Sequence, residues 1–342
     1  MISKKTMIAV AVIPLALALS GCKHNDSSAE GPGGPGGPGG PGGPGGPGGG
    51  LVAGDYVATK TTDTAAAAVK DGETLSAAAS NSSTIQLAYG GGTAKAVDPA
   101  AFSVKKNAKG GMDMTVNGET VSFADADKFV EPDGKSYEWE NAGGYLSSHT
   151  SDTKSILDGT DAKYLQVWQY SADKAGVGTT GYAVVGAETA PETVKAQANA
   201  TYKGWARVDT RQETDIRDRV GVRGDLTLAA KFDQGSVSGS IDNIEARQRN
   251  VDTGNVWTGW TPVNGAAISL TESKISANGF TGGSVVGNAA ANTAIDGNLN
   301  GSTYSGRFYG PNAEQVGGVI SAKGISEGGK FVGAGFFAGE KQ

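Results

Sequence analysis

Between Asp225 and Asp233 apolar and polar side chains alternate strictly, with Leu226, Leu228, Ala230 and Phe232 on one face and Asp225, Thr227, Ala229, Lys231 and Asp233 on the other. A period of two places successive side chains on opposite sides of a strand, so one face is buried and the other meets a polar medium. A barrel crossing a membrane would turn its apolar face to lipid and would not tolerate charges there at mid-depth. Asp225, Lys231 and Asp233 therefore suit a water-facing exterior. The fold must bury Leu226 to Phe232 on the inside of a soluble sheet.

Further strands are predicted at Tyr164 to Ser171, Gly181 to Ala187, Ala200 to Asp209, Ser236 to Asn243, Ala267 to Thr271, Ile295 to Leu299, Thr303 to Tyr309 and Lys330 to Ala338. Phe331, Gly333, Gly335 and Phe337 alternate large with small on one face, as the filled interior of a small tapered barrel requires. The fold class expected is all-β: a small β-rich domain followed by an eight-stranded antiparallel soluble β-barrel. In the earlier part, short strands are predicted at Thr84 to Tyr89, Phe102 to Lys105, Met112 to Val116 and Thr120 to Phe123. Asn117-Gly118 between the last two is a type I′ hairpin signal, because both positions must accept positive φ. Thr64 to Ala79 is alanine-rich and is the one candidate helix, interrupted by Asp71-Gly72.

Upstream of these regions, Met1 to Cys22 has a basic start, an apolar run from Met7 to Leu19, and then Leu19-Ser20-Gly21-Cys22. The run is shorter than the roughly 20 residues needed to cross a bilayer, so it reads as an export signal rather than a span. The last four residues resemble a lipobox, which implies cleavage before Cys22 and a diacylglycerol thioether on its sulfur, with palmitate-type acyl chains as the anchor. Gly31 to Gly50 repeats Gly-Pro-Gly. A collagen-like helix needs imino acids at the third triplet position too, so a polyproline-II-biased tether reaching roughly 60 Å is the better reading. The domain organisation expected is a signal peptide over 1–21, the lipidated Cys22 and tether over 22–50, a β-rich domain over 51–161 and the barrel over 162–342.

Composition narrows the chemistry. Cys22 is the single cysteine and is assigned to lipid, so stability must come from burial and not from disulfides. There are two histidines, His24 in the tether and His149 in a polar run, too few for a zinc centre and poorly arranged for a Ser-His-Asp triad. Asp125 and Asp127 fall short of the six to eight oxygens that calcium takes. No cofactor, no metal and no catalytic residue are expected, and an enzyme ranks behind a binding protein. The formal charge is −6 and includes Lys4 and Lys5 of the signal, which argues against a nucleic-acid partner.

Near the end of the chain, Tyr304-Ser305-Gly306-Arg307-Phe308-Tyr309-Gly310-Pro311-Asn312-Ala313-Glu314-Gln315-Val316-Gly317-Gly318-Val319 precedes Phe331-Val332-Gly333-Ala334-Gly335-Phe336-Phe337. These residues resemble the closing barrel strands of the transferrin-binding protein B family, and the lipobox and glycine-rich tether agree with it. The resemblance is strongest over Thr201 to Phe337. It implies a handle domain before the barrel, a helical half-loop over Pro311 to Val316, and a lipid-anchored protein of the outer membrane, displayed at the cell surface. It further implies binding of a host protein or of a haem or iron carrier for nutrient uptake beside an outer-membrane transporter. The chain has length for one handle and barrel lobe where transferrin-binding protein B itself has two, so transferrin binding does not carry over. A structural or adhesive surface protein is the alternative.

Recognition on a barrel scaffold belongs to its loops. Arg247 to Pro262 reads as a long loop rich in arginine and tryptophan, residue types concentrated in binding hot spots, and Arg249, Trp257 and Trp260 are the candidate ligand-binding residues. The competing reading packs both tryptophans against a barrel end or the handle. Arg207 to Arg219, with interleaved charges, is a second candidate binding segment, weighed against the simpler reading of a solvated, salt-bridged loop.

Overall fold

The computed structural model describes residues 74–130, 137–148, 164–249, 254 and 256–342. The signal, Cys22, the tether and His149 lie outside the described residues, as does most of the candidate helix over Thr64 to Ala79. Its described end is a strand, because Leu75 and Ala77 alternate into a core while Thr74 and Ser76 face away.

The N-terminal part contains strands β1 (Thr74–Ala77), β2 (Ser82–Ala88), β3 (Thr93–Ala96), β4 (Phe102–Lys106), β5 (Met112–Val116), β6 (Glu119–Phe123), β7 (Lys128–Val130), β8 (Tyr137–Asn141), β9 (Gly144–Ser148), β10 (Leu165–Lys174) and β11 (Val177–Gly186). They form a four-stranded sheet, β1-β4-β5-β6, and a seven-stranded sheet, β3-β2-β11-β10-β9-β8-β7. Asn117 at φ 51° and Gly118 at φ 83° make the expected tight turn between β5 and β6. Leu75, Phe102, Val104, Met114 and Phe123 pack against Trp139, Leu146, Trp168, Tyr170 and Val185, joining the two sheets into a sandwich.

Two strands that the sequence reading counts towards the barrel pair in this sandwich instead. β10 hydrogen-bonds to β9 and β11, and β11 continues to β2. The N-terminal sheet therefore extends past the expected border at residues 161–162, to Gly186. Both strands are covered on both sides: Trp168, Tyr170 and Val185 enter the sandwich core, while Leu165, Val167, Tyr182 and Val184 face the barrel. A strand buried on two faces loses its alternation and reads as a continuous apolar run, so its sequence does not say which sheet owns it.

After a short helix α1 (Pro191–Lys195) come β12 (Ala200–Gln212), β13 (Arg219–Lys231), β14 (Ser236–Arg249), β15 (Thr261–Pro262), β16 (Ile268–Ser276), β17 (Gly279–Gly287), helix α2 (Ala289–Ile295), β18 (Thr303–Tyr309), β19 (Gln315–Ser326) and β20 (Gly329–Lys341). Their order is β13-β12-β20-β19-β18-β17-β16-β14, and pairing of β14 with β13 closes the ring, leaving β15 as an appendage on β14. This is the expected eight-stranded antiparallel barrel. Leu226, Leu228, Ala230 and Phe232 point inward, as do Phe331 and Phe337, among Tyr202, Phe280, Tyr304 and Phe308. Gly318 leaves room for the Phe337 ring, which a Cβ there would strike together with the Ser305 carbonyl.

Three other expectations change. Ile295 to Leu299 is not a strand: Asn288 caps α2 by accepting from the Ala291 amide at 2.9 Å, and Asp296 ends the helix at φ 57°. Ala291 and Ile295 of that helix join the barrel core. Pro311 to Val316 is a turn running directly into β19, with Ala313 at φ 56°, rather than a helical half-loop. Arg207 to Arg219 is not a single solvated loop, because its two ends belong to β12 and β13 and only the middle turns.

The barrel exterior seats on the seven-stranded sheet. Trp205, Val319, Ala334 and Phe336 of the barrel meet Leu165, Val167, Tyr182 and Val184. Polar bonds add direction: the Ser83 hydroxyl donates to the Ile320 carbonyl at 2.7 Å, and the Ala94 amide to the Glu213 carbonyl at 2.9 Å.

Candidate binding face of the barrel

Three consecutive barrel strands carry arginines on their outward-facing positions. Along β12, Ala206 and Val208 enter the core while Arg207, Asp209 and Arg211 face out; along β13, Val222 enters while Arg219, Gly221 and Arg223 face out. Strand register aligns them in rows: Arg207 opposite Arg223 and then Glu245, Asp209 opposite Gly221 and then Arg247, and Arg211 opposite Arg219 and then Arg249. Neighbouring strands lie about 4.8 Å apart, so six guanidinium groups are gathered on one face of an acidic protein.

The first two rows are internally compensated. Arg223 Nε donates to Glu245 at 2.6 Å, and Arg207 Nε lies 3.1 Å from the Asp209 carboxylate. Tyr182, from the N-terminal sheet, donates its hydroxyl to the same carboxylate. Burial alone would raise the Asp209 pKa, but the positive charge of Arg207, the Tyr182 hydrogen bond and Arg247 outweigh it and hold the carboxyl below its ordinary range. Burial pushes the Tyr182 phenol well above its ordinary value, so it stays a proton donor. Gly221 at the centre leaves room for this approach: a Cβ there would lie 2.9 Å from an Asp209 oxygen and 3.3 Å from the Arg247 stem.

Trp257 and Trp260 are placed on this arginine face. The Arg247 guanidinium lies 4.3 Å from the ring centres of both tryptophans, and Arg223 lies 4.4 Å from Trp260. The order Trp257–Arg247–Trp260–Arg223 is a cation–π ladder in which the flat guanidinium groups stack on rings and keep their edge donors in plane. Backbone bonds fix the same segment: the Thr258 amide donates to the Gln248 carbonyl at 2.8 Å, and β15 pairs with Glu245 and Ala246. Both tryptophans are half-buried, so their faces serve the ladder, and neither closes the barrel end.

Arg249 sits one position beyond the ladder, at the end of β14. It lines a cavity of about 110 Å3 with Arg211 and Arg219 at the barrel rim. An open cleft of about 940 Å3 lies on the other side of the ladder, lined by Trp205, Arg223, Asp225, Asp242, Glu245 and Pro262 among others. The structure thus brings Arg249, Trp257 and Trp260 to one face. Sequence reading held Arg207 to Arg219 as a second, separate candidate and Arg247 as the start of the first, and passed over Arg223. The available signal was arginine at even spacing in three successive runs, Arg207/Arg211, Arg219/Arg223 and Arg247/Arg249. Among the described residues, no group of three or more His, Cys, Asp or Glu side chains is arranged to hold a metal ion.

Residues 194–341 match the family model described as the C-lobe and N-lobe beta barrels of Tf-binding protein B. No curated protein matches the chain. Among solved structures, isotype 1 transferrin-binding protein B from serogroup B Neisseria meningitidis is 17% identical, with a TM-score of 0.39, covering 77% of this chain and 43% of its own. A double mutant of the Haemophilus parasuis Hp5 protein is 14% identical, with a TM-score of 0.37, covering 77% and 45%. Intact Ap-TbpB, with N and C lobes, is 15% identical, with a TM-score of 0.34, covering 77% and 46%. The chain spans less than half the length of these structures. The closed ring of residues 194–341 is thus a barrel similar to the C-lobe and N-lobe barrels of Tf-binding protein B.

Proposed function

We propose that this chain is a lipid-anchored surface protein of the outer membrane that captures a host protein or a haem or iron carrier on the outside of its barrel, for nutrient uptake. The packed barrel interior carries the reading that the ligand binds outside. Tyr202, Phe280, Tyr304, Phe308, Phe331 and Phe337 fill it, so a cargo cannot enter as it would in a wide barrel. Binding then falls to the exterior, where the arginine rows, Trp257, Trp260 and the cleft beside Arg223 are exposed in part. Anchoring rests on the lipobox at Cys22, and reach on the Gly-Pro tether before the sandwich. The N-terminal sandwich, ending near Gly186, acts as the handle that holds one side of the barrel. No step of this reading calls for bond-breaking chemistry.

The test is capture by intact cells displaying the full chain, comparing the wild type with Arg223→Glu and with Cys22→Ser. Retention of a discrete soluble protein or of haem by the wild type, weakened by Arg223→Glu at equal display, supports the reading. Cys22→Ser should lose acyl labelling and leave the membrane fraction. Adhesion to surfaces without capture of any soluble cargo would favour the structural alternative.

A further inference from the structure

The barrel wall parts between β14 and β16. Pairing of the two strands ends at Ile241 opposite Ile268, and the same edge of β14 takes up β15 only from Glu245, opposite Pro262. Asp242 and Asn243 lie in the gap. On their other side the register of β13 against β14 shifts between Arg223 and Asp225, an irregularity of the kind that bends a strand and re-aims its side chains. Residues 263–267 lead from β15 to β16, held by the Val263 amide, which donates to the Ile244 carbonyl at 2.8 Å. The open cleft of about 940 Å3 lies along this gap.

Its lining joins two kinds of surface. Trp205, Ile244 and Ala266 are buried apolar side chains, with Val263 half-buried beside them. The charged lining is Arg223 with Asp225, Asp242 and Glu245, so one arginine against three carboxylates leaves a surplus of two negative charges. Arg223 is already engaged: it donates to Glu245 at 2.6 Å and stacks on Trp260 at 4.4 Å, bordering the cleft as part of the ladder. Asp225 and Asp242 stand directly opposite each other across β13 and β14, a relation in which like charges repel. Their hydrogen-bond donors are neutral, the Asn243 amide to Asp225 at 2.8 Å and the Ser240 hydroxyl to Asp242 at 2.6 Å.

A cation placed on this pair relieves the repulsion. Two carboxylates fall short of the six to eight oxygens that calcium takes, and an apolar lining gives a bare ion nothing. A lysine or arginine side chain fits both halves, with its apolar stem against Ile244, Val263 and Ala266 and its charged head on the carboxylates. We propose, resting on the capture reading above for its source, that the cleft receives an exposed basic segment of the captured protein, its cationic heads on Asp225 and Asp242. The formal charge of −6 on the chain adds long-range attraction for such a segment.

The test titrates a capped oligoarginine peptide, with oligoglutamate as its counterpart, into the full mature chain in detergent by calorimetry. Saturable binding of oligoarginine is expected, weakened about tenfold or more in Asp225→Asn/Asp242→Asn. Asp233→Asn/Glu327→Gln removes the same charge outside the cleft lining and should hardly change it. Because the charges removed from the cleft repel each other, its double variant should unfold at a Tm no lower than the wild type, which separates lost binding from lost folding. No binding by the wild type, or equal weakening in the two double variants, would overturn the proposal. Undiminished capture of a protein by cells displaying the cleft double variant would overturn it too, while leaving the proposed function standing. Peptide binding lost in the cleft variant, without capture of any protein by intact cells, would support the cationic site and count against the proposed function instead.

Discussion

Glu188, on the connection leaving the N-terminal sheet, accepts a hydrogen bond from Arg307 Nη1 on β18 at 2.7 Å, and the two side chains are 4% and 1% exposed. Asn278, in the β16–β17 turn, donates to the same carboxylate at 2.9 Å. A charged pair removed from water in this way contributes little net stability, yet each partner depends on the other. It fixes the connection against the barrel wall, where Glu188 also bridges to Tyr309.

Removing one partner should therefore cost more than removing both. Arg307→Met leaves a buried carboxylate and is expected to lower unfolding free energy by about 3–5 kcal/mol. The double variant Glu188→Leu with Arg307→Met should recover much of that loss. Urea unfolding of the single and double variants measures the coupling; strictly additive losses would contradict it.

Glu188, buried, and Asp209, partly buried beside Arg207, should give opposite pH dependences. Burial raises the Glu188 pKa above its ordinary 4.5, more than Arg307 and Asn278 lower it. The folded state then holds a proton more tightly than the unfolded one, so stability falls as pH rises through the window above 4.5. Asp209 is held below its ordinary 3.8, despite burial, by Arg207 and Tyr182. Its contribution is present above 3.8 and is lost as pH falls through the lower folded value. Unfolding curves between about pH 3 and 6 should show Glu188→Gln flattening the decline above 4.5 and Asp209→Asn flattening the acid loss below 3.8.

The barrel was readable wherever one strand face met water. Leu226 to Phe232 announced its inward side because Thr227, Ala229 and Lys231 are polar or small, whereas Phe331 to Phe337, buried on both faces, showed its inward side only through the large–small alternation of Phe331, Gly333, Gly335 and Phe337. β10 and β11 were assigned to the wrong sheet since Leu165 to Tyr170 and Tyr182 to Val185 are buried on both faces, and nothing in such a run names its partner strand. Of the binding face, Arg249, Trp257 and Trp260 were visible as composition within one segment. That the other arginines share this face was not legible, because only the closure of β12, β13 and β14 into register brings positions 207, 223 and 247 together.

Trp260 has three arginines over its ring, Arg247 at 4.3 Å, Arg223 at 4.4 Å and Arg207 at 5.7 Å from its centre, and should be the keystone of the ladder. Trp260→Ala is expected to cost about 1–2 kcal/mol from the lost cation–π contacts, and Trp260→Phe less. The sharper readout is proteolysis. Trypsin should cut after Arg247 or Arg249 sooner in Trp260→Ala, since the segment pinned by Thr258 and β15 loses its side-chain anchor. Equal cutting in the wild type and variant would mean that the backbone bonds alone hold it.

Gly221 tests whether the three rows act as one assembly. It faces outward between Asp209 and Arg247, so enlarging it leaves the barrel core untouched but intrudes on both neighbours. An alanine meets the end of the Asp209 carboxylate and the flexible Arg247 stem, which can give, at a cost of about 1 kcal/mol or less. A valine must displace Arg247 from between the tryptophans, at about 1–3 kcal/mol. Displacement unstacks Trp257 and Trp260, so tryptophan emission should shift to the red in Gly221→Val and hardly at all in Gly221→Ala. A destabilised Gly221→Val with unchanged emission would place the strain in the β12–β13 backbone rather than in the ladder. The ladder and the Asp209 pair would then be neighbours without being coupled.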